Sequence, residues 1–305
     1  MSFEKRPRIT NIWSRVNAES DGEIYSQVVI ESTKAFPKKD FIRDHSIVLE
    51  AEGTVANMPE GTVEVGDGLV KEISLYQLRP DLAVVEILLE HPAEYTLRVC
   101  DGLPVRTIFT ISRSFLKKIF AGKVVVIDPG HGGSDFGGRG PVNLLEKNVV
   151  LPVAQNLKRL LEENGAAALL TRNSDENLSL EARFALAKRE KAGVFVSIHT
   201  HANKNSRVGG ACVLYRPASQ DSCFLASLVK DELVKKLKVA DRGIKEAGVL
   251  MPLFGIPAIE VEIVTITNWV EEGMLRSPTV HKKAALGIFN GIKKYFAGPA
   301  GESTK

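Results

Sequence analysis

The sequence predicts an α/β domain with a mostly parallel sheet flanked by helices over residues 123–297, preceded by an all-β, sandwich-like domain over residues 1–112. Three observations carry this reading. The first stretch holds short β-rich runs divided by turn signals. The second alternates apolar strand-like runs with helical periods. A chain of 305 residues is also long for one domain, since about 100–200 residues per domain is usual. Residues 113–122 are read as a linker and 298–305 as a tail.

In the first domain, runs at 24–30, 46–51, 82–89 and 105–111 are rich in β-branched residues. Asp21-Gly22, Pro59-Glu60-Gly61, Gly66-Asp67-Gly68 and Asp101-Gly102 punctuate them. His45 and His91 fall here without acidic or cysteine partners at ligand spacing.

The second domain opens on Val124-Val125-Val126-Ile127-Asp128, an apolar run expected of a strand covered on both faces. A helix at 149–163 follows, with apolar residues at Val149, Val150, Val153, Leu157, Leu160 and Leu161 and Gly165 as its stop. Pro152 is expected in or before the first turn, since deeper it would break the helix. Then come a strand at 167–171, a helix at 180–191, strands at 194–198 and 211–215, a helix at 222–237 and a strand at 258–263. Asn268 with Glu271 three residues on reads as a capping box. A last helix spans 280–295.

Composition narrows the function classes. A net charge of +3 without a clustered basic face gives no support to nucleic-acid binding. No apolar run reaches the roughly 18 residues of a membrane span. Met1-Ser2-Phe3-Glu4-Lys5-Arg6 is no signal peptide, so the chain is either cytoplasmic or a mature form without its leader. Cys100, Cys212 and Cys223 are too few and too widely spaced for a disulfide framework or a paired-cysteine metal site, and read as small buried hydrophobes.

His131, Glu146 and His199 carry the chemistry. His131 follows the first parallel strand by a few residues, His199 ends another, and Glu146 stands just before a helix. Parallel strands gather such residues at their carboxyl ends. Two imidazoles and a carboxylate suffice for a catalytic zinc with one open position. Gly130, Gly132 and Gly133 allow the backbone geometry a metal loop needs. A phosphate loop is disfavoured, because no Gly-Lys-Ser/Thr ending follows. Glu260 and Glu262 place two carboxylates inside an apolar strand, on one face because they are two apart. Spacing does not choose between them as a general base, and a salt bridge at the sheet end is the plain alternative.

Asp128-Pro129-Gly130-His131-Gly132-Gly133, Glu146-Lys147-Asn148, Leu170-Thr171-Arg172 with Asp175, Leu180 with Arg183, Ser197-Ile198-His199 and Asp241-Arg242-Gly243-Ile244 follow in order. Together they resemble the zinc-dependent N-acetylmuramoyl-L-alanine amidases that cleave bacterial peptidoglycan, over residues 123–296. The resemblance implies zinc ligands at His131, Glu146 and His199. It also implies a catalytic glutamate at Glu262, where Pro257-Ala258-Ile259-Glu260-Val261-Glu262 aligns with the family's Pro-Ala-Val-Leu-Val-Glu. The implied reaction is hydrolysis of the amide between the lactyl group of N-acetylmuramic acid and L-alanine.

The departures are specific. His201 stands where the family has Asn, as a neighbour of the site or an alternative ligand. Glu260 replaces an apolar residue and sits beside the catalytic position. Val264-Thr265 replaces a pair with an aromatic residue, and Pro152 is unusual after the zinc glutamate. Some relatives with an N-terminal β domain insert a site-plugging helix between the positions of His199 and Glu262; this chain has no room for it.

By texture and position, residues 1–112 resemble the amidase localisation (AMIN) domain. That resemblance implies wall targeting, division or wall-remodelling proteins as partners, and Trp13, Tyr25 and Tyr76 as sugar-stacking candidates, with core packing the competing role for each. The implied location is extracytoplasmic, in periplasm or cell wall, with a signal peptide removed. Two other readings remain open at this point: a zinc peptidase or amidohydrolase cutting another amide, and a wall-binding regulatory protein with a decayed site.

Overall fold

A computed structural model of the chain describes residues 6–18 and 23–298. It divides into two compact units, Met1–Phe115 and Leu116–Lys305. Among the described residues, no helix is long and apolar enough to cross a membrane.

The first unit is built of strands β1 (Arg8–Ala18), β2 (Ile24–Ser32), β3 (Lys38–Arg43), β4 (Ser46–Glu52), β5 (Val55–Ala56), β6 (Gly61–Glu64), β7 (Val70–Arg79), β8 (Leu82–Leu89), β9 (Tyr95–Cys100) and β10 (Val105–Ser112). They form two five-stranded sheets, ordered β5-β1-β2-β10-β9 and β3-β4-β8-β7-β6. The expected turn at Asp21-Gly22 lies outside the described residues. Apolar side chains of the central strands, such as Val28, Ile30, Leu49, Val85 and Phe109, are fully buried. Arg113 is buried with them because its charge is matched. It donates to Ser26 Oγ and to the Asp67 carbonyl, each at 2.6 Å, and pairs with the Asp67 carboxylate at 3.3 Å. Of the aromatic candidates, Tyr76 packs on Val48, Leu82 and Val84. Trp13 lines a cavity of about 250 Å³ with Met58 and Val63, and Tyr25 is half-buried.

The segment read as a linker contains helix α1 (Ser114–Phe120). Leu116 and Phe120 are fully buried, and the Phe120 ring stacks on Phe289 at 5.3 Å. Seven residues show too little periodicity for such a helix to stand out in sequence.

The second unit runs β11 (Val124–Pro129), α2 (Lys147–Glu162), β12 (Ala167–Leu170), α3 (Leu180–Arg189), β13 (Val194–His201), β14 (Ala211–Tyr215), α4 (Gln220–Leu237), β15 (Asp241–Glu246), a 3-10 turn (Gly248–Leu253), β16 (Ala258–Thr265), α5 (Trp269–Leu275) and α6 (Pro278–Ala297). The sheet is mixed, in the order β12-β11-β13-β16-β14-β15. β14 runs antiparallel to β16, while the other pairings are parallel. An apolar run carries no direction, so this reversal was not legible from pattern.

Helices α2, α4 and α6 cover one face, burying Val125, Ile127, Val196, Ile198, Ile259 and Val261 against their own apolar stripes. The other face carries a smaller cluster in which Val126, Phe195 and Ala258 meet Phe184 of α3 and Leu250 of the 3-10 turn. Cover on that side is short, and a cavity beside the carboxyl ends of β11 and β13 is lined by His131 and His199.

Three local expectations change. Pro152 lies in the second turn of α2, not the first. The helix continues through the lost backbone donor because eight of its residues, among them Val149, Val153 and Leu157, are buried. β13 runs on to His201, so His199 is inside the strand rather than at its end. Asn268 does cap α5, accepting from the backbone N–H groups of Val270 and Glu271. Glu271 does not close a capping box: its carboxylate accepts from Gly210 N and Thr265 N, each at 2.6 Å.

Candidate metal centre and active site

The loop after β11 is built around His131, whose φ of +59° lies in the left-handed region. That conformation costs a non-glycine residue roughly 1–2 kcal/mol. Two buried arginines hold it. Arg172 donates to the carbonyls of Pro129 (2.9 Å) and Gly130 (2.7 Å). Arg183, from α3, donates to the carbonyls of Pro129 (2.8 Å) and His131 (2.8 Å), and pairs with Asp128 at 2.7 Å. Asp128 also accepts from Thr171 and Ser197. Lys147 bridges the Gly133 carbonyl and Asp175, which itself accepts from Gly133 N. Lys147, Arg172, Asp175 and Arg183, drawn from separate motifs, are therefore braces of one loop. Arg183→Met leaves Asp128 buried without its cation and is expected to destabilise the second unit by about 3–5 kcal/mol, read by urea unfolding of the full chain.

Glu146 precedes α2 and is 4% exposed at its side chain. Oε1 accepts from Thr200 N and Oε2 from Gly138 N, both at 2.7 Å. The same two oxygens lie 3.1 Å from His199 Nδ1 and 3.3 Å from His131 Nε2. The two imidazole rings meet edge to face at 4.9 Å. One ligand atom from each of the three residues lies within 4.8 Å of the others. A tetrahedral ion with bonds of about 2.0–2.1 Å sets neighbouring donors about 3.3 Å apart, so the donor set fits such an ion. The remaining ring nitrogen of His131, Nδ1, is 2.8 Å from Asp135, the carboxylate contact that orients a metal-binding imidazole.

The electrostatics agree. Burial works to raise the Glu146 carboxyl's pKa, but its bonds to His131 and His199 outweigh that and hold it far below the usual range. Burial works to lower the His199 pKa, but the Glu146 contact and the nearby Glu260 push it up to about 9. Three groups crowded so that one is firmly anionic present what a cation would satisfy.

Glycines form the walls. A Cβ on Gly130 would come within 2.2 Å of His199 Cε1, and one on Gly137 within 2.5 Å of His131 Cδ2. Gly130→Ala is expected to tilt the His199 ring and lower divalent-metal affinity by about 10–100-fold, measured by competition with a chelating dye.

The sheet register sets Glu262 opposite His199 and Glu260 opposite Ser197. Glu262 is bonded at both oxygens, to Arg242 Nη1 at 2.9 Å and to His201 Nδ1 at 3.2 Å. His201 thus bonds the carboxylate and stands outside the His131, Glu146 and His199 group. The salt bridge foreseen for one of the two glutamates falls on Glu262.

With this geometry in place, comparison with known proteins is decisive. A family model described as N-acetylmuramoyl-L-alanine amidase matches residues 125–294. The chain belongs to this family. It is 36% identical over 177 residues to the uncharacterized protein YqiI of Bacillus subtilis, covering 57% of this chain and 85% of that one. It is 34% identical over 179 residues to the probable cell wall amidase LytH of Staphylococcus epidermidis, covering 58% of this chain and only 59% of that one. Among solved structures, the amidase AmiC2 of Nostoc punctiforme matches with 33% identity and a TM-score of 0.55, over 59% of this chain and 99% of that one. An N-acetylmuramoyl-L-alanine amidase of Clostridium difficile 630 matches with 34% identity and a TM-score of 0.56, over 58% and 98%.

Within this amidase-family unit, one group of structural residues escaped the sequence reading. Glu272, 1% exposed at its side chain, accepts from the backbone N–H groups of Val142 and Leu144 and pairs with Arg276. It anchors the loop that delivers Glu146. Two glutamates in the first turn of α5 look like solvated helix-start residues, and only their burial shows otherwise. Arg242 was visible solely as part of a motif; its contact with Glu262 crosses from β15 over β14 to β16.

Proposed function

We propose that this chain hydrolyses the amide between the lactyl group of N-acetylmuramic acid and L-alanine in bacterial peptidoglycan, with zinc held by His131, Glu146 and His199. The observation that carries this reading is the convergence of those three donors beside a carboxylate in register with His199. Zinc, when bound, polarises an amide carbonyl and makes water a usable nucleophile near neutral pH.

The proton transfers are assigned to Glu262. It takes a proton from the attacking water and returns it to the departing amine, a role worth about 10²–10⁴-fold in rate. Arg242 and His201 fix its two oxygens, so the carboxylate is oriented before substrate arrives. Asp135 holds the His131 ring, and Arg172 and Arg183 hold its backbone. The first unit is proposed to direct the enzyme to the wall or to division and wall-remodelling proteins, and the site of action is extracytoplasmic.

The test is digestion of purified peptidoglycan by the full chain with mass analysis of the products. Intact stem peptides beginning at L-alanine are expected, together with about one zinc per chain. His131→Ala should lose both the metal and the activity. Fragments cut at any other bond would sink the assignment.

A further inference from the structure

The cavity beside the three ligands holds a carboxyl group that the proposed reaction does not use. Glu260 and Glu262 face the same side of β16 as His199 on β13, because paired residues of parallel strands share a face. Glu262 is committed to Arg242 and His201. Glu260 instead lines a cavity of about 240 Å³ together with His131, His199, Leu180, Phe184 and Leu250. Among the described residues, no Lys, Arg or His nitrogen forms an ion pair with Glu260. The other charges in that wall are matched: Arg183 to Asp128 at 2.7 Å, and Asp135 to His131 at 2.8 Å. His199 acts on Glu260 only beyond ion-pair distance, and a half-buried carboxylate with no cation bonded to it costs free energy that an apolar residue at the position would not.

The position suits recognition rather than bond making. Glu260 sits two residues back along its strand from Glu262, roughly 6.6 Å by strand rise. A group bound there lies several ångströms from an amide held at the metal ligands. Its neighbour across the strands, Ser197, donates its hydroxyl to Asp128 and keeps oxygen lone pairs to accept with. Leu180, Phe184 and Leu250 give the cavity apolar surface, and an ion pair formed against it is stronger than one in open water.

We propose that Glu260 makes this cavity a subsite for a primary ammonium group carried by the substrate close to the scissile amide. The proposal rests on the amidase reading and adds a preference to it. Two sources supply that chemistry: the C2 amine of an amino sugar lacking its acetyl group, and the side-chain amine of a diamino acid in the stem peptide. Either would donate to Glu260, with Ser197 as a second acceptor.

The test uses the zinc-loaded full chain and synthetic muramoyl-peptides in four forms, with the sugar amine free or acetylated and a peptide lysine amine free or acetylated. The wild type is expected to favour one free-amine form in kcat/KM by about tenfold, the effect of one charge-assisted hydrogen bond. The favoured form names the source. Glu260→Gln is expected to bring that ratio near one, mainly through a higher KM for the amine-bearing substrate, and Glu260→Asp to keep its direction. Equal rates on all four forms, or a preference unchanged in Glu260→Gln, would overturn the proposal and leave the amidase reading intact. Failure of the wild type to cut any of the four would instead strike the amidase reading itself.

Discussion

Glu146→Ala is expected to reduce hydrolysis of peptidoglycan to background and zinc affinity by at least about 100-fold, beyond what the loss of an outer contact causes. The carboxylate does more than offer a ligand atom. It accepts from the backbone N–H groups of Gly138 and Thr200, and it lies against a nitrogen of each imidazole. Truncation orphans both donors at about 1–3 kcal/mol each. The apo variant should therefore melt well below the apo wild type at neutral pH. The sign of the pH effect follows from the carboxyl's depressed pKa. Its contribution is present above the unfolded value near 4.5 and is lost as the pH falls towards the folded one. The gap between the two melting temperatures should narrow at pH 3. Full zinc content in the variant, by elemental analysis, would remove Glu146 from the ligand set.

Glu262→Gln isolates the proton chemistry. Zinc content and KM are expected to stay close to wild type while kcat falls by about 10²–10⁴-fold. The amide keeps the shape of the carboxylate and can still accept from Arg242, so the strand register and the metal ligands should be undisturbed. A variant with wild-type kcat would show that Glu262 merely balances Arg242. Measuring zinc and kcat on the same preparation separates this result from that of Glu146→Ala, in which metal and rate are lost together.

Much of the site was legible because its residues interrupt strong patterns. His131 and His199 stand at or near the ends of apolar strands, and Glu260 and Glu262 break another. Their meeting needed only the rule that parallel strands collect function at one end. The supports were less visible. Arg172 and Arg183 could be seen as motif members, but nothing local says that both guanidinium groups are buried against carbonyls of the His131 loop. Glu271 and Glu272 follow a good N-cap and so look like helix-start residues; long-range backbone donors claim them instead. The fold shows the same division. Pattern located most elements of the second unit to within a few residues but only four of the ten strands of the first, and β15, the direction of β14, the depth of Pro152 in α2 and the helix at Ser114–Phe120 depend on packing between distant segments.

The arginine-braced loop has a consequence for how the proposed metal would come and go. In small zinc domains the ion organises the chain, and its removal is an unfolding event. Here His131 is held by guanidinium–carbonyl bonds, and Glu146 by backbone donors, that owe nothing to an ion. Little ordering entropy is then left for binding to overcome. Zinc should load reversibly onto an already shaped cup, and saturating metal should raise the melting temperature only by mass action.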